Sequence, residues 1–379
     1  MNTLEDVDWI CFSHLRWNFV FQRPQHLMRR IARTNRVFFF EEPLFDEGMH
    51  YDVTKNAEGI FVIVPHFSGG ISPEEIKRHQ REFLSRFLIT MNITRYALWY
   101  FTPMALPISE DLNAVIRIYD CMDELSGFKF APREITELEK KLMNLADIVF
   151  TGGYSLYEAK KNQHQNIHPF PSSIDYDHFS RARGLTQDPV DQAGIPHPRF
   201  GFYGVIDERM NIRLLAEVAS QREDWHFVLI GPVAKINEED LPCQANIHYL
   251  GMKNYNDLPL YLAGWDVAIM PFALNESTRY ISPTKTPEYL AAGKPVISTP
   301  INDVMRQYHT VVNFAATAED FIQVAENDIQ YDDLWLYHVD KLLAENSWDK
   351  TWARMNELIE EAISSAENKI NLKNQQVYV

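Results

Sequence analysis

Several things are scarce in this chain of 379 residues. Cysteine occurs only at Cys11, Cys121 and Cys243. The three are far apart, and the first two lie in apolar, strand-like runs. Buried free thiols in a reducing compartment are therefore expected, rather than a disulfide framework. No run of 18 apolar residues is present, which excludes a spanning helix. The stretch from Met1 to Asp8 is acidic and lacks the basic-then-apolar order of a secretory leader, so a cytoplasmic location is expected. Basic residues are outnumbered, 36 against 52, for a net charge of −16. That balance argues against nonspecific nucleic-acid binding. Neither G-x-G-x-x-G nor G-x-x-x-x-G-K-[ST] occurs, so a phosphate site would have to be built by other means.

What the chain does have is apolar and aromatic mass: 46% hydrophobic and 13% aromatic residues. The length exceeds what one core usually organises and suggests two domains. Apolar strands alternate with helices in both halves, the pattern of an α/β fold with mainly parallel sheets. In the first half, strands are expected at 8–13, 36–40, 60–64, 96–101, 114–119, 147–151 and 167–169. Helices are expected at 25–34, 74–91, 103–110, 133–145 and 154–161. A polar connector from Ser180 to Pro198 precedes a second α/β series that starts at Arg199. A last amphipathic helix is expected over 348–366, followed by a polar tail from Lys369.

In such sheets, ligands sit at the carboxyl ends of the strands. That rule singles out His14, Arg16, Trp17, Gln22 and Arg23 after the first strand. It also singles out Asp120 and Asp123 after the strand at 114–119. A polar residue there points into a cleft, and His14 or Asp120 could act on an acceptor hydroxyl. Arg16, Arg23, Arg29, Arg30, Arg33 and Arg36 form a basic, aromatic-flanked stretch in an acidic protein. It reads either as a solvated helix face or as a contact for an anionic membrane surface or a pyrophosphate-bearing acceptor. Asp175-x-Asp177 could be an oxygen-ligand pair for Mg²⁺ or Mn²⁺, and equally a turn between domains.

The second half is organised around Ser282–Thr299. Ser282 and Thr286 are both N-cap types followed by proline, and the spacing does not choose between them. Lys285 and Glu288, three apart, share a helix face near its start. Hydroxyls and a lysine at a helix start suit an anion, and a glutamate beside them can accept from sugar hydroxyls. Gly204 stands at its strand end, where backbone could approach a phosphate, and Arg209 in the next loop could add charge.

These segments carry a family resemblance. Phe12-Ser-His-Leu-Arg-Trp with Gln22-Arg-Pro-Gln-His26, Tyr119-Asp-Cys-Met-Asp123, Ser173–Phe179, Gly204–Arg209, Leu229-Ile-Gly-Pro232, Tyr249-Leu-Gly251 and Ser282–Thr299 resemble retaining GT-B glycosyltransferases of the family 4 type. Within that family the subgroup looks like bacterial cell-surface polysaccharide enzymes of the teichuronic-acid type. The resemblance implies two Rossmann-like domains with a cleft between them. Residues 1–178 would bind acceptor, 179–345 would bind a nucleotide-sugar donor, and 346–379 would form a helix crossing back to the first domain, with a loose tail.

It also implies a hexosyltransferase-type enzyme that moves a sugar, from a UDP-sugar in the favoured case, to a saccharide or lipid-linked acceptor. Gly204, Arg209, Gly231, Thr284, Lys285, Thr286 and Glu288 would hold the donor. Arg16, Trp17, Gln22 and Arg23 would hold the acceptor, and His14, Asp120 or Asp123 would do chemistry. No metal and no cofactor are expected. The protein would be cytoplasmic, with peripheral contact to the inner face of the membrane through Arg16–Arg36. One departure stands out. Glu288 matches the second glutamate of the family's pair, but Tyr280 stands where the first belongs, with Asn275, Glu276 or Thr278 as substitutes. An epimerase on the same fold and a non-catalytic nucleotide-sugar-binding subunit are the competing readings.

Overall fold

The computed structural model describes residues 4–329 and 331–377. The first half forms a nine-stranded sheet. Its strands are β1 (Asp8–Ser13), β2 (Val37–Glu41), β3 (Leu44–Asp46), β4 (His50–Lys55), β5 (Phe61–Ser68), β6 (Tyr96–Tyr100), β7 (Ile116–Cys121), β8 (Ile148–Thr151) and β9 (Ile167–Pro169). The order is β3-β5-β2-β1-β6-β7-β8-β9, with β4 paired antiparallel to β5 and all other pairs parallel. The second half forms a six-stranded parallel sheet of β10 (Arg199–Tyr203), β11 (His226–Ile230), β12 (Ile247–Tyr249), β13 (Val267–Met270), β14 (Val296–Ser298) and β15 (Asn313–Phe314). Its order is β12-β11-β10-β13-β14-β15.

Strand periodicity sorts the first lobe into two cores. On β1, Trp9 and Cys11 join one buried cluster and Ile10 and Phe12 the other. Both faces are covered, which is why the strands read as unbroken apolar runs. One face takes Leu27, Met28 and Ile31 of the helix Arg23–Ile31. The other takes Leu84 and Phe87 of the helix Pro73–Thr90, which starts with a Ser72–Glu75 capping box.

The last helix, Trp348–Val377, extends past the expected end at 366. Trp348, Met355, Leu358, Ile359 and Ile363 are part of the first lobe's core, so the chain returns there after building the second sheet. Arg30 and Arg33 hold its first turn through Asp349, at 2.8 and 2.7 Å.

The main elements lie where the sequence pattern puts them, with two informative differences. The strands β3 and β4 were not expected. They are exposed edge elements, β3 only three residues long and β4 mostly polar, so no buried apolar run announces them. The strand β7 runs on to Cys121, two residues past its expected end. That extension carries Asp120 into the sheet.

A column of rings joins the lobes. Trp348 stacks on His26 (4.5 Å, 11°), His26 meets Phe21 edge-on (4.6 Å), Phe21 stacks on Tyr255 (4.4 Å), and Tyr255 stacks on His178 (4.3 Å, 6°). Burial holds His26 well below the usual histidine range, so its ring packs as a neutral aromatic. Trp348→Ala is expected to destabilise the chain by about 3–5 kcal/mol, the range for emptying a buried tryptophan site. A lowered urea midpoint would register this, and an unchanged midpoint would contradict the anchoring of the last helix.

Candidate functional site

The cleft between the lobes is where the strand ends converge. Its walls are Trp17 to Gln22 from the first lobe and Tyr203, Gly204, Gly231, Thr284, Lys285 and Glu288 from the second, around about 890 Å³ open to solvent. A continuation of the cleft is lined by Gln22, Asp123, Arg209, Thr284 and Lys285. A space of this size suits a nucleotide-sized ligand.

Gly204 and Gly231 end β10 and β11 with φ of +139° and +143°. A Cβ on Gly231 would stand 1.8 Å from the Gly204 carbonyl oxygen. One on Gly204 would stand 2.2 Å from Lys285 Cε. Only glycine allows two strand ends and a lysine stem to pack this closely.

Lys285 opens the helix Lys285–Ala291, with Thr284 in the N-cap position. Neither of the two expected caps holds that place. Thr286 is also not in the cleft: it is fully buried, and its hydroxyl donates to the Met270 sulfur at 3.3 Å. This corrects its expected part in donor binding. The Lys285 ammonium lies 5.8 Å from the Phe202 ring centroid and has no hydrogen-bond or ion-pair partner among the described residues. Burial lowers its pKa, Glu288 opposes that shift, and Arg209 adds to it. Glu288, three residues on, is 3% exposed and accepts a hydrogen bond from the Tyr203 hydroxyl. Burial raises its carboxyl to about 7, against the pull of Tyr203 and Lys285.

Arg209 lines the same space but is already engaged. Its Nε bonds both Asp207 oxygens (3.0 and 3.1 Å) and its Nη2 bonds one (2.6 Å), while Nη1 remains available to a ligand.

In the first lobe, Asp120 is fully buried, and Arg23 Nε sits 3.0 Å from each of its oxygens. Arg23 is 2% exposed and also holds the Phe170 carbonyl at 2.7 Å. This buried pair ties β7 to the start of the first helix. It takes Asp120 out of reach of a substrate, while Arg23 borders the continuation of the cleft with its guanidinium engaged by Asp120 and the Phe170 carbonyl. Asp123, just past the strand, lines the cleft, and its carboxylate has no partner among the described residues. His14 Nδ1–H donates to the Phe101 carbonyl at 3.0 Å, leaving the Nε2 lone pair available. Burial lowers the His14 pKa, so the ring is neutral at neutral pH.

Gln22 and Trp17 line the cleft, whereas Arg16 is drawn away to Glu41 at 2.8 Å. Every arginine of the basic stretch has an acidic partner: Glu41, Asp120, Glu58, Asp349 (shared by Arg30 and Arg33) and Asp8. The free positive charge expected for a membrane surface is therefore largely neutralised within the protein. No described helix is long and apolar enough to cross a membrane.

Tyr280 packs against the first lobe's core. Asn275 and Thr278 bond within their own turn, and Glu276 is exposed beside Arg279. None of these four is among the residues lining the cleft. Sequence reasoning missed Tyr203 and Tyr255. Tyr203 directly precedes Gly204, a signal that was available. Tyr255 lies on a short polar turn with no apolar pattern to mark it, and its buried hydroxyl has no partner among the described residues.

Comparison with known proteins bears on the family and the fold. Residues 197–328 match a protein-family model described as Glycosyl transferases group 1. TuaH of Bacillus subtilis (strain 168), named as a teichuronic acid biosynthesis glycosyltransferase, is 28% identical over 225 residues. The match covers 55% of this chain and 56% of that protein, so it spans little more than half of either. Among solved structures, sucrose-phosphate synthase from Thermosynechococcus elongatus aligns with a TM-score of 0.67 at 13% identity, covering 95% of this chain and 100% of that one. An E. coli trehalose-6-phosphate protein bound with UDP-2-fluoro glucose aligns with a TM-score of 0.65 at 9% identity, covering 93% and 99%. The GT-B fold and the resemblance drawn from the sequence are both borne out.

The raised Glu288 carboxyl has a consequence for stability. The folded chain binds this proton more tightly than the unfolded chain does. Its contribution is therefore least unfavourable at low pH and worsens as pH rises from the ordinary carboxylate range to about 7. Glu288→Gln should stabilise the nucleotide-free chain at pH 8, by about 1–3 kcal/mol, and change little near pH 4.5. Thermal midpoints at the two pH values test this, and a lower midpoint for the variant at pH 8 would refute it.

Proposed function

We propose that the chain is a glycosyltransferase that moves a sugar, from a UDP-sugar in the favoured case, to a saccharide or lipid-linked acceptor in cell-surface polysaccharide synthesis. The observation that carries this reading is Lys285: a half-buried ammonium without a partner among the described residues, in the cleft against Gly204, one helical turn from buried Glu288. A diphosphate supplies the charge that Lys285 lacks, and ribose hydroxyls supply donors to the Glu288 carboxylate. The name of the teichuronic-acid relative and the UDP-2-fluoro glucose of the E. coli structure support the acceptor pathway and the donor class.

The chemistry follows from the charges. As the bond between the sugar's C1 and the diphosphate oxygen breaks, negative charge builds on the leaving group. Lys285 and the free Nη1 of Arg209 stabilise that charge inside the cleft. With retention, the acceptor oxygen bonds C1 from the same side and its proton passes to the departing diphosphate. No protein nucleophile is then needed. With inversion, Asp123 or the neutral His14 would take the proton instead. Donor and acceptor binding by these residues requires no metal.

A second reading, a non-catalytic nucleotide-sugar-binding subunit, is favoured by one observation: Tyr280 packs on the first lobe's core in place of a cleft glutamate. Incubating the protein with UDP- and GDP-sugars and candidate acceptors separates the readings. Release of free nucleotide supports transfer, while saturable binding with no turnover supports the subunit.

Lys285→Ala should weaken UDP binding by roughly 10- to 100-fold, the loss of a charge-assisted contact. Arg209→Ala should weaken it less, because Asp207 already neutralises part of that charge. Calorimetric titration measures both, and unchanged affinity in both variants would sink the phosphate-site assignment. UDP affinity should be the same with and without EDTA, and loss on chelation restored by Mn²⁺ would return the Asp175–Asp177 pair to consideration.

A further inference from the structure

At the outer edge of the first sheet, three strands converge on one imidazole. His66 of β5 lies opposite His50 of the antiparallel β4 and opposite Leu44 of the parallel β3. Two residues beyond His50, Asp52 returns to the same face of its strand. Asp46, at the end of β3, approaches from the other side. None of these residues lines the inter-lobe cleft.

The contacts are unusual in kind. Asp46 Oδ2 lies 2.6 Å from His66 Nδ1, and a carboxylate can only accept, so Nδ1 carries the hydrogen. The lone pair of the neutral ring is then on Nε2. That nitrogen faces Asp52 Oδ2 at 3.5 Å, an acceptor facing an acceptor. The other Asp52 oxygen is 3.7 Å from His50 Nε2, beyond hydrogen-bond length. The two imidazoles stack at 4.3 Å and 11°. One ligand atom from each of His50, Asp52 and His66 can be chosen so that all three lie within 4.8 Å of one another. In a tetrahedral shell with zinc-type bond lengths, ligand atoms stand roughly 3.3–3.5 Å apart. Small movements would close the shell. His66 is fixed at 11% side-chain exposure, while His50 and Asp52, at 50% and 60%, are free to swing.

We propose that this edge binds one divalent cation of the zinc type through His50, Asp52 and His66, with a solvent molecule completing the shell and Asp46 as the positioning residue. Two imidazoles and one carboxylate select a borderline first-row cation over Ca²⁺ or Mg²⁺, which prefer all-oxygen shells. The Asp46–His66 hydrogen bond fixes the tautomer and aims Nε2, as carboxylates behind metal-bound histidines do. The role is structural. The neighbours Phe45, Tyr51 and Pro65 line an apolar cavity in the first lobe, so the cation would pin the strands that wall it. A protonated His66 held between two carboxylates is the metal-free alternative, and the experiment separates the two.

The chelator-treated full-length protein is titrated with Co²⁺ and followed by visible absorption, then challenged with Zn²⁺. One equivalent should bind with the d–d bands of a low-coordinate site, and Zn²⁺ should displace it. The double variant His50→Ala/Asp52→Ala, both positions exposed, should abolish uptake. Asp46→Asn should weaken it 10- to 100-fold. His248→Ala, in the separate His226–His248 pair (3.1 Å), should leave it unchanged. Zn²⁺ should raise the thermal midpoint of the unmodified chain and not that of the double variant. No saturable uptake, uptake surviving the double variant, or loss of uptake in His248→Ala would each overturn the proposal.

Discussion

The structure of the cleft turns on keeping a lysine and a glutamate out of bulk water side by side. Lys285 and Glu288 occupy consecutive turns of one short helix, and burial works against the charge on both: it lowers the one pKa and raises the other. The cost is offset in part by their mutual attraction and by the Tyr203 hydroxyl. Everything around them serves that arrangement. Gly204 has no side chain because the lysine stem needs its space. Tyr203 ends β10 where its hydroxyl can reach Glu288. Tyr289, the next residue on the helix, bonds the Tyr203 backbone N–H at 3.0 Å and fixes the strand against the helix. Such a site is destabilised without a ligand and pre-organised for one.

The first lobe reaches the cleft through a different balance of charge. A buried pair, Arg23 with Asp120, anchors the segment that carries Trp17 and Gln22 into the cleft wall. The ring column from Trp348 to His178 then couples that segment to the second lobe and to the returning last helix. The arginines of this region are thus spent on internal order. The other cations that line the cleft, Arg23, Arg209 and Lys253, each have an acidic partner, and Lys285 has none among the described residues.

Much of this was legible in the sequence, for a definite reason. Parallel strands covered on both faces must be apolar throughout, so β1, β2, β6, β10, β11 and β13 are visible as runs. Gly204, Lys285 and Glu288 were legible because their chemistry is tied to strand ends and a helix start, which pattern locates. The strands β3 and β4 were not legible, since an exposed edge obeys no burial pattern. Asp120 was misplaced because a two-residue error in a strand end turns a residue meant for the cleft into one buried in the sheet. Thr286 was misassigned because a hydroxyl beside a helix start can turn outward to a ligand or inward to a core sulfur, and spacing does not distinguish these.

By itself, the sequence determined the α/β architecture, the two successive sheets, the absence of a spanning helix and the short stretch that bears Lys285 and Glu288. All of these follow from local periodicity and composition. Only the tertiary structure decided which charged groups remain available. Pairing between residues distant in sequence engages Asp120, Arg16 and Arg23, Asp207 two positions away holds Arg209 in part, and Lys285 and Asp123 are left facing the cleft. The free energy of a buried charge depends on neighbours brought together by folding, and no reading of neighbours along the chain supplies them.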